Sequence, residues 1–289
     1  MPIQVTWTQR LARTQAIVAA SWRILKADKT LLLLPIASSF CLFLIVGAYL
    51  EPLVMELIVA GTDAESLRNI QSVSEVGAFL ITVATYAVGI YFNAALALCV
   101  LGRLEGRAPT IFDGLKEAAG CLPQIVGWAV VSSTVGLLLR VIGRRSSLVG
   151  GLVVKLIGMA WGVATFLVVP VLVAERKGPI EAVQESVQLL RRTWGEDLLA
   201  GVGFGALYFL LSLPGMFAFV VGAGLIPSHL VLGLVVMALS LLYFPVLGLV
   251  LSTLSAIFNV VLYRYAKSGE ITPGFDRELL SATFVRKPA

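Results

Sequence analysis

Charge is scarce in this chain and histidine is nearly missing. Lys, Arg, Asp and Glu make up 13% of the 289 residues, against roughly 25% in ordinary globular domains. That shortage excludes a conventional water-solvated surface. The lone histidine, His229, has no ligand-type neighbour in sequence, so a histidine-built metal site or general base has no basis. The three cysteines, Cys41, Cys99 and Cys121, stand singly in or beside apolar stretches. They provide neither a disulfide framework nor metal-ligand spacing, and each reads as a small buried hydrophobe. H-E-x-x-H, the phosphate-binding loop, the dinucleotide fingerprint and the serine elbow are all absent. Carboxylate pairs such as Glu181/Glu185 and Glu196-Asp197 read as the polar face of an interfacial helix. The expectation is a protein with no cofactor, no metal and no catalytic site.

What fills the chain instead is apolar sequence, 58% of all residues, in blocks too long for soluble helices. They lie around Leu31–Leu50, Val76–Leu101, Leu122–Val141, Leu148–Ala174, Leu198–Val221 and Leu230–Leu262. A bilayer core takes about 20 apolar residues per helix, so six transmembrane helices are expected in an all-α, polytopic membrane protein. One membrane domain over residues 1–289 accounts for nearly all of the length. A long basic stretch precedes the first block and five more blocks follow, which argues against a cleaved signal peptide.

The formal net charge of +5 would suggest nucleic acid in a soluble chain, but its distribution here encodes topology. With the N-terminus inside, most Lys and Arg fall on the inner side, including Arg23, Lys26, Arg103, Lys116, Arg176, Lys177, Arg191, Arg192, Arg264 and Lys267. The first outer loop is acidic, with Glu51, Glu56, Asp63, Glu65 and Glu75. Both termini are therefore expected in the cytoplasm, across a cytoplasmic (inner) membrane. No nucleic-acid partner is expected. The Arg140–Arg145 cluster breaks the charge rule and is outvoted by the other loops.

An amphipathic segment precedes each odd-numbered span: Leu11–Lys29, Ile111–Gly120 and Ile180–Trp194, with apolar residues three to four apart. In the second, Ile111, Leu115 and Ala118 are expected to share a face; in the third, Ala182, Val183, Ser186, Leu189 and Leu190. Pro109 and Pro179 sit near the two later helix starts, where a missing N–H is tolerated. The even spans end alike: Phe92-Asn93 runs on to Arg103 and Gly106, Phe258-Asn259 to Arg264 and Gly269, and Phe166 through Pro170 to Gly178. These matches predict three tandem repeats of interfacial helix plus transmembrane hairpin, at about 8–105, 106–177 and 178–270, with a cytoplasmic tail at 271–289. An odd repeat number implies parallel copies about an axis near the membrane normal, unlike inverted-repeat transporters.

Candidate site residues are few. Asn93 and Asn259 place amides within apolar spans, where each must find a partner; interhelical contact and cavity lining are both open. Pro170 and Pro245 are expected to interrupt the fourth and sixth spans and to expose carbonyls to a cavity or simply kink the helix. Arg140, Arg144 and Arg145, and on the inner face Arg176, Lys177, Arg191 and Arg192, are candidates for anionic headgroups, each worth roughly 1 kcal/mol at an anionic surface. Gly158-Met-Ala-Trp-Gly162 forms a G-x-x-x-G pattern that predicts a close helix crossing. Membrane lipids, anionic ones in particular, are the expected partners, with a homo-oligomer as a further expectation. Two functions stay open: a lipid-associating or oligomeric scaffold or accessory protein, and a permease or channel for a small molecule or lipid.

The segment Ala20-Ser-Trp-Arg-Ile-Leu-Lys-Ala-Asp-Lys-Thr-Leu-Leu-Leu-Leu-Pro35 resembles the opening of an uncharacterised family of bacterial and archaeal multi-span membrane proteins. Tyr91-Phe-Asn93 and the stretch Pro179 to Trp194 look like the same family. More loosely, the helix-plus-hairpin plan is similar to the membrane domain attached to some glycerophosphodiester phosphodiesterases, whose soluble catalytic barrel has no counterpart in this sequence. The resemblance implies architecture and carries no activity.

Overall fold

A computed structural model describes residues 18–60, 64–145, 148–194 and 204–269, and regular structure among them is helical. Helix α1 covers residues 18–27, and a 3-10 turn at Lys29–Leu32 leads into α2 (Leu33–Ala60). There follow α3 (Ala64–Leu104), α4 (Ile111–Ala119), α5 (Leu122–Arg145), α6 (Leu148–Ala164), α7 (Val168–Ala174), α8 (Pro179–Trp194), α9 (Phe204–Leu225) and α10 (Leu230–Ser268). Six stretches are long and apolar enough to cross a membrane: Lys29–Glu51, Gly77–Leu104, Leu122–Arg144, Gly150–Ala174, Leu207–Leu225 and Leu230–Ser268. The chain is an all-α integral membrane protein, as its apolar blocks predict. The expected Leu11–Ile17 part of the first amphipathic segment and the 271–289 tail lie outside the described residues.

Two spanning helices are far longer than a bilayer requires. With 41 and 39 residues, α3 and α10 each run about 60 Å at 1.5 Å per residue, against a hydrocarbon core of about 30 Å. The excess in α3 is its polar N-terminal part, which carries Arg68, Gln71 and Glu75. In α10 the chain continues through Pro245 without interruption. The predicted break there is therefore absent; adjoining turns can satisfy the groups a proline frees in a membrane helix.

Two compact units make up the chain, Leu33–Leu190 and Met1–Leu32 with Arg191–Ala289. In the first, α3 is the central helix and packs on α2, α4, α5 and α7, while α5 pairs with α6. In the second, α9 and α10 form a hairpin, and the Lys29–Leu32 turn packs on α10. Burial is concentrated at the C-terminal ends of the long helices. Ala94 through Leu101 of α3 are buried all round, as are Leu167, Val168, Val171, Leu172 and Val173 at α7, and Leu254, Ile257, Val260, Val261 and Leu262 in α10. Elsewhere the spans present large apolar side chains outward: Phe43, Phe217 and Val231 are each more than 70% exposed, the pattern of a surface solvated by lipid.

Glycine sets the closest helix approaches. A Cβ on Gly233 would lie 2.7 Å from the Gly222 carbonyl and 2.9 Å from the Ile226 amide, and one on Gly222 would lie 2.9 Å from the Met237 amide. Only glycine lets the α9 and α10 backbones meet at that distance. The G-x-x-x-G pattern behaves otherwise. Gly162 has nothing within 4 Å and Gly158 touches only Leu139 Cδ1 at 3.9 Å, so the expected close crossing does not occur at that motif.

Candidate functional site

The fourth span is two helices. Pro170 cannot donate a hydrogen bond, and in a continuous helix its ring would strike the Phe166 carbonyl four residues back. The chain yields one turn earlier. Phe166 N–H turns to Val163 O (3.1 Å) and Val168 N–H to Thr165 O (3.1 Å), i→i−3 pairs that tighten the backbone, before Val171 N–H to Leu167 O (3.1 Å) restores regular helix. Pro170 thus occupies the first turn of α7, where its missing N–H is harmless. The predicted interruption is present, centred on Thr165–Leu167.

The tightened turn would strand the N–H of Leu167, which is fully buried. It donates instead to Ser186 Oγ at 3.2 Å. Ser186 belongs to α8 and is itself fully buried, on the face that also holds Ala182, Leu189 and Leu190. The sequence reading put these residues on one apolar face; what it missed is that the one hydroxyl among them completes another helix's backbone. An unpaired buried N–H would cost about 1–3 kcal/mol.

The linker from α7 to α8 is fastened at both ends. Lys177 Nζ reaches Glu175 Oε2 at 2.8 Å and Glu185 Oε2 at 2.9 Å, with about a third of the lysine side chain still exposed. These carboxylates, Glu175 first, raise the Lys177 pKa above its ordinary 10.5. While the carboxylates are ionised, the lysine's contribution is therefore fully present below pH 10.5 and is lost as pH rises through the higher folded value. Partly exposed pairs of this kind are worth about 0–1 kcal/mol. Beside it, Arg176 is exposed and has a left-handed backbone, φ 51°. The same backbone conformation ends α3 at Gly106 (φ 80°) and α10 at Gly269 (φ 72°). Pro179 opens α8 against α5, where a Cβ on Gly127 would lie 3.0 Å from the proline Cγ. Trp128 and Trp161 stack at 5.9 Å between α5 and α6.

Helix α4 is the better-capped amphipathic segment. Thr110 and Asp113 form a reciprocal cap: Thr110 N–H donates to Asp113 Oδ2 (2.9 Å) and Asp113 N–H to Thr110 Oγ1 (3.2 Å). The Thr110 hydroxyl, which donates to Asp113 Oδ2 at 2.7 Å, and then the Thr110 amide hold the Asp113 pKa below its usual 3.8. The Thr-x-x-Asp spacing was the signal that could have found this cap. Pro109 precedes the cap and packs on Gly102. The inward face is narrower than expected: Gly114 and Ala118 are buried, Ile111 and Leu115 are half-buried, and Phe112 is 81% exposed. A Cβ on Gly114 would meet Cys99 Sγ and the Ala95 carbonyl. Tyr91 OH ties α3 to α4 through Leu115 O (3.0 Å). Tyr91 also lines a shallow groove of about 240 Å³ with Ala87, Val88, Leu122, Ile125 and Val126. Its walls are otherwise apolar.

Asn93 is exposed on α3. Asn259, in the other unit, is half-buried on α10, and its Oδ1 is buried without a hydrogen-bond partner among the described residues. Arg140 and Arg144 are exposed one turn apart at the end of α5, without an ion pair among the described residues, and Arg191 is exposed on α8. The side chains of Arg145 and Arg192, and those of the acidic first loop from Glu56 to Glu75, lie outside the described residues. Among the described residues no cluster of His, Cys, Asp and Glu could hold a metal ion.

A family of unknown function, DUF6159, matches residues 72–274. The chain belongs to that family. The match takes in Tyr91-Phe-Asn93, the divided fourth span and all of α8, whereas the Ala20–Pro35 segment precedes it. No curated protein and no solved structure matches the chain.

Proposed function

We propose that this family member is a non-catalytic, lipid-associating scaffold, a single domain of the cytoplasmic membrane with both termini inside. The observation that carries this reading is how its helices meet: glycine-mediated backbone contact at Gly222 and Gly233, and an apolar groove between α3 and α5. A glycine-packed helix contact together with an apolar groove suits lipid as ligand better than an ion or a polar solute. The amphipathic helices fit as interfacial anchors, with Trp22, Phe112 and Ile180 exposed on α1, α4 and α8 beside anionic headgroups. Exposed apolar surface along α9 and α10 leaves room for a homo-oligomer.

The three-repeat plan belongs to the same proposal, and it is argued from local features that α4 and α8 share. In α4 and α8 the N-cap amide is accepted by a carboxylate three residues on: Thr110 by Asp113, and Gly178 by Glu181 Oε2 at 3.3 Å. The residues four and eight beyond each cap are buried, Gly114 and Ala118 in one and Ala182 and Ser186 in the other. Left-handed residues close all three even spans. The register of α4 to α8 follows Thr110 and Gly178 rather than the two prolines. The looser likeness to phosphodiesterase membrane domains adds no catalytic step to this plan.

The permease reading has one observation in its favour, the Asn259 carbonyl oxygen, which is buried without a hydrogen-bond partner among the described residues. Replacing Asn93 and Asn259 by Leu separates the two. A scaffold keeps its fold and co-purifying lipid; at Asn259 the change removes an unsatisfied acceptor, so the thermal midpoint holds or rises. Retained folding with lost solute flux in proteoliposomes would overturn the scaffold in favour of transport.

A further inference from the structure

We propose that the α5–α6 hairpin holds one anionic phospholipid, its phosphate between Arg140, Arg144 and Lys155 and an acyl chain over Gly136 and Gly162. The inference deepens the lipid-associating reading above and rests on it, but not on which way up the chain lies.

The way the two helices meet brings the three cations together. Trp128 stacks on Trp161 at 5.9 Å, Leu139 Cδ1 lies 3.9 Å from a Cβ placed on Gly158, and Val154 Cγ1 lies 3.6 Å from one on Gly143. These pairs run in opposite chain directions, so α5 and α6 are antiparallel. At about 100° per residue, Arg140 and Arg144 lie on α5 about 60° and 100° round from Gly143. Lys155 lies on α6 about 100° round from Val154. In an antiparallel pair, rotation in the same sense leads to the same side of the hairpin. All three cations are exposed there, Lys155 within about one turn of each arginine along the axis. Their charge has no answer within the hairpin, because neither α5 nor α6 contains an Asp or Glu. By contrast, Arg107 and Lys177 each reach a carboxylate. Guanidinium and ammonium groups gathered at the end of a span are the chemistry that binds a lipid phosphate.

Toward the middle of the spans the same side opens. Gly136 and Gly162 follow on it, one to two turns further in, and a Cβ on either would meet nothing within 4 Å. Leu137 and Met159, both exposed, stand further round and flank them. A floor without side chains, apolar at its edges and directly below three cations, matches a phospholipid in both shape and charge.

The test is native mass spectrometry of the full chain after equilibration with equal amounts of phosphatidylglycerol and phosphatidylcholine of the same acyl chains. The wild type should retain phosphatidylglycerol in preference. Arg140→Gln, Arg144→Gln and Lys155→Gln should each lower that preference about fivefold, the scale of one cation at an anionic headgroup. Arg107→Gln, which removes a cation already paired with Glu105, should leave it unchanged. Gly162→Leu fills the floor and should weaken phosphatidylglycerol retention although no charge is altered. Excess inorganic phosphate should not displace the lipid. Each substituted residue is exposed, so the thermal midpoint without added lipid should hold and reports that the variant is folded. Equal retention of the two lipids by the wild type, or a preference that all three cation variants keep, overturns the site. Displacement by inorganic phosphate with no effect of Gly162→Leu overturns the lipid in favour of a free anion. Retention of neither lipid would instead overturn the lipid-associating reading beneath it.

Discussion

Asp113 shows how a single carboxylate can hold a short helix. With nine residues, α4 is too short to be stable by propensity alone, since isolated helices under about a dozen residues are marginal in water. It relies on its cap and on the docking of Gly114 and Ala118. The carboxylate of Asp113 accepts from both the amide and the hydroxyl of Thr110, and this is why its pKa is depressed in the folded chain. A group depressed on folding stabilises above its unfolded pKa, and that contribution is lost as pH falls through the folded one. Acidification below pH 3.8 should therefore loosen the start of α4. Asp113→Asn should already be loosened at neutral pH and show a flatter response to acid. Exchange of the Ile111–Leu115 amides between pH 6 and 3 checks this; identical pH profiles for the two proteins would contradict it.

At the scale of elements, the α9–α10 hairpin offers the sharpest steric test. The atoms facing Gly233 are backbone, the Gly222 carbonyl and the Ile226 amide, and backbone cannot swing aside as a side chain can. Gly233→Ala should lower stability by about 1–3 kcal/mol, the usual cost of overpacking, seen as a reduced thermal midpoint in detergent. Gly224→Ala, with nothing within 4 Å, is the matched control and should leave the midpoint unchanged. The same residues mark the boundary of what sequence could reveal. The six spans were legible because bilayer thickness imposes a length on every apolar block. Helix pairing was not: Gly158 and Gly162 have the motif spacing and face almost nothing, whereas Gly114, Gly222 and Gly233 make the contacts. Spacing says which residues share a helix face; it does not say what that face meets. Pro170 was visible as a breaker, but the acceptor that satisfies the amide left at Leu167, Ser186, lies 19 residues beyond that amide in sequence and carries no local signal. Pro245 carries the same local signal and leaves α10 continuous.

For the whole molecule, charge asymmetry makes a claim that helix geometry cannot make, because six spans fit a membrane equally well either way up. The proposed orientation puts the ends of α3, α7 and α10 in the cytoplasm, each followed or flanked by basic residues such as Arg107, Arg176 and Lys267. Lys and Arg resist translocation, so short loops that carry them remain inside. The acidic segment around Asp63 joins α2 to α3 at the opposite ends of those helices and should lie outside. The exception is Arg140 and Arg144 near the end of α5, whose exposed guanidinium groups would then meet the outer headgroups. In a chain with Cys41, Cys99 and Cys121 replaced by Ala, a membrane-impermeant thiol reagent applied to intact cells should label Asp63→Cys and spare a cysteine tag at either terminus. Inverted orientation reverses both results, and it would carry the basic ends of α3, α7 and α10 to the outer face.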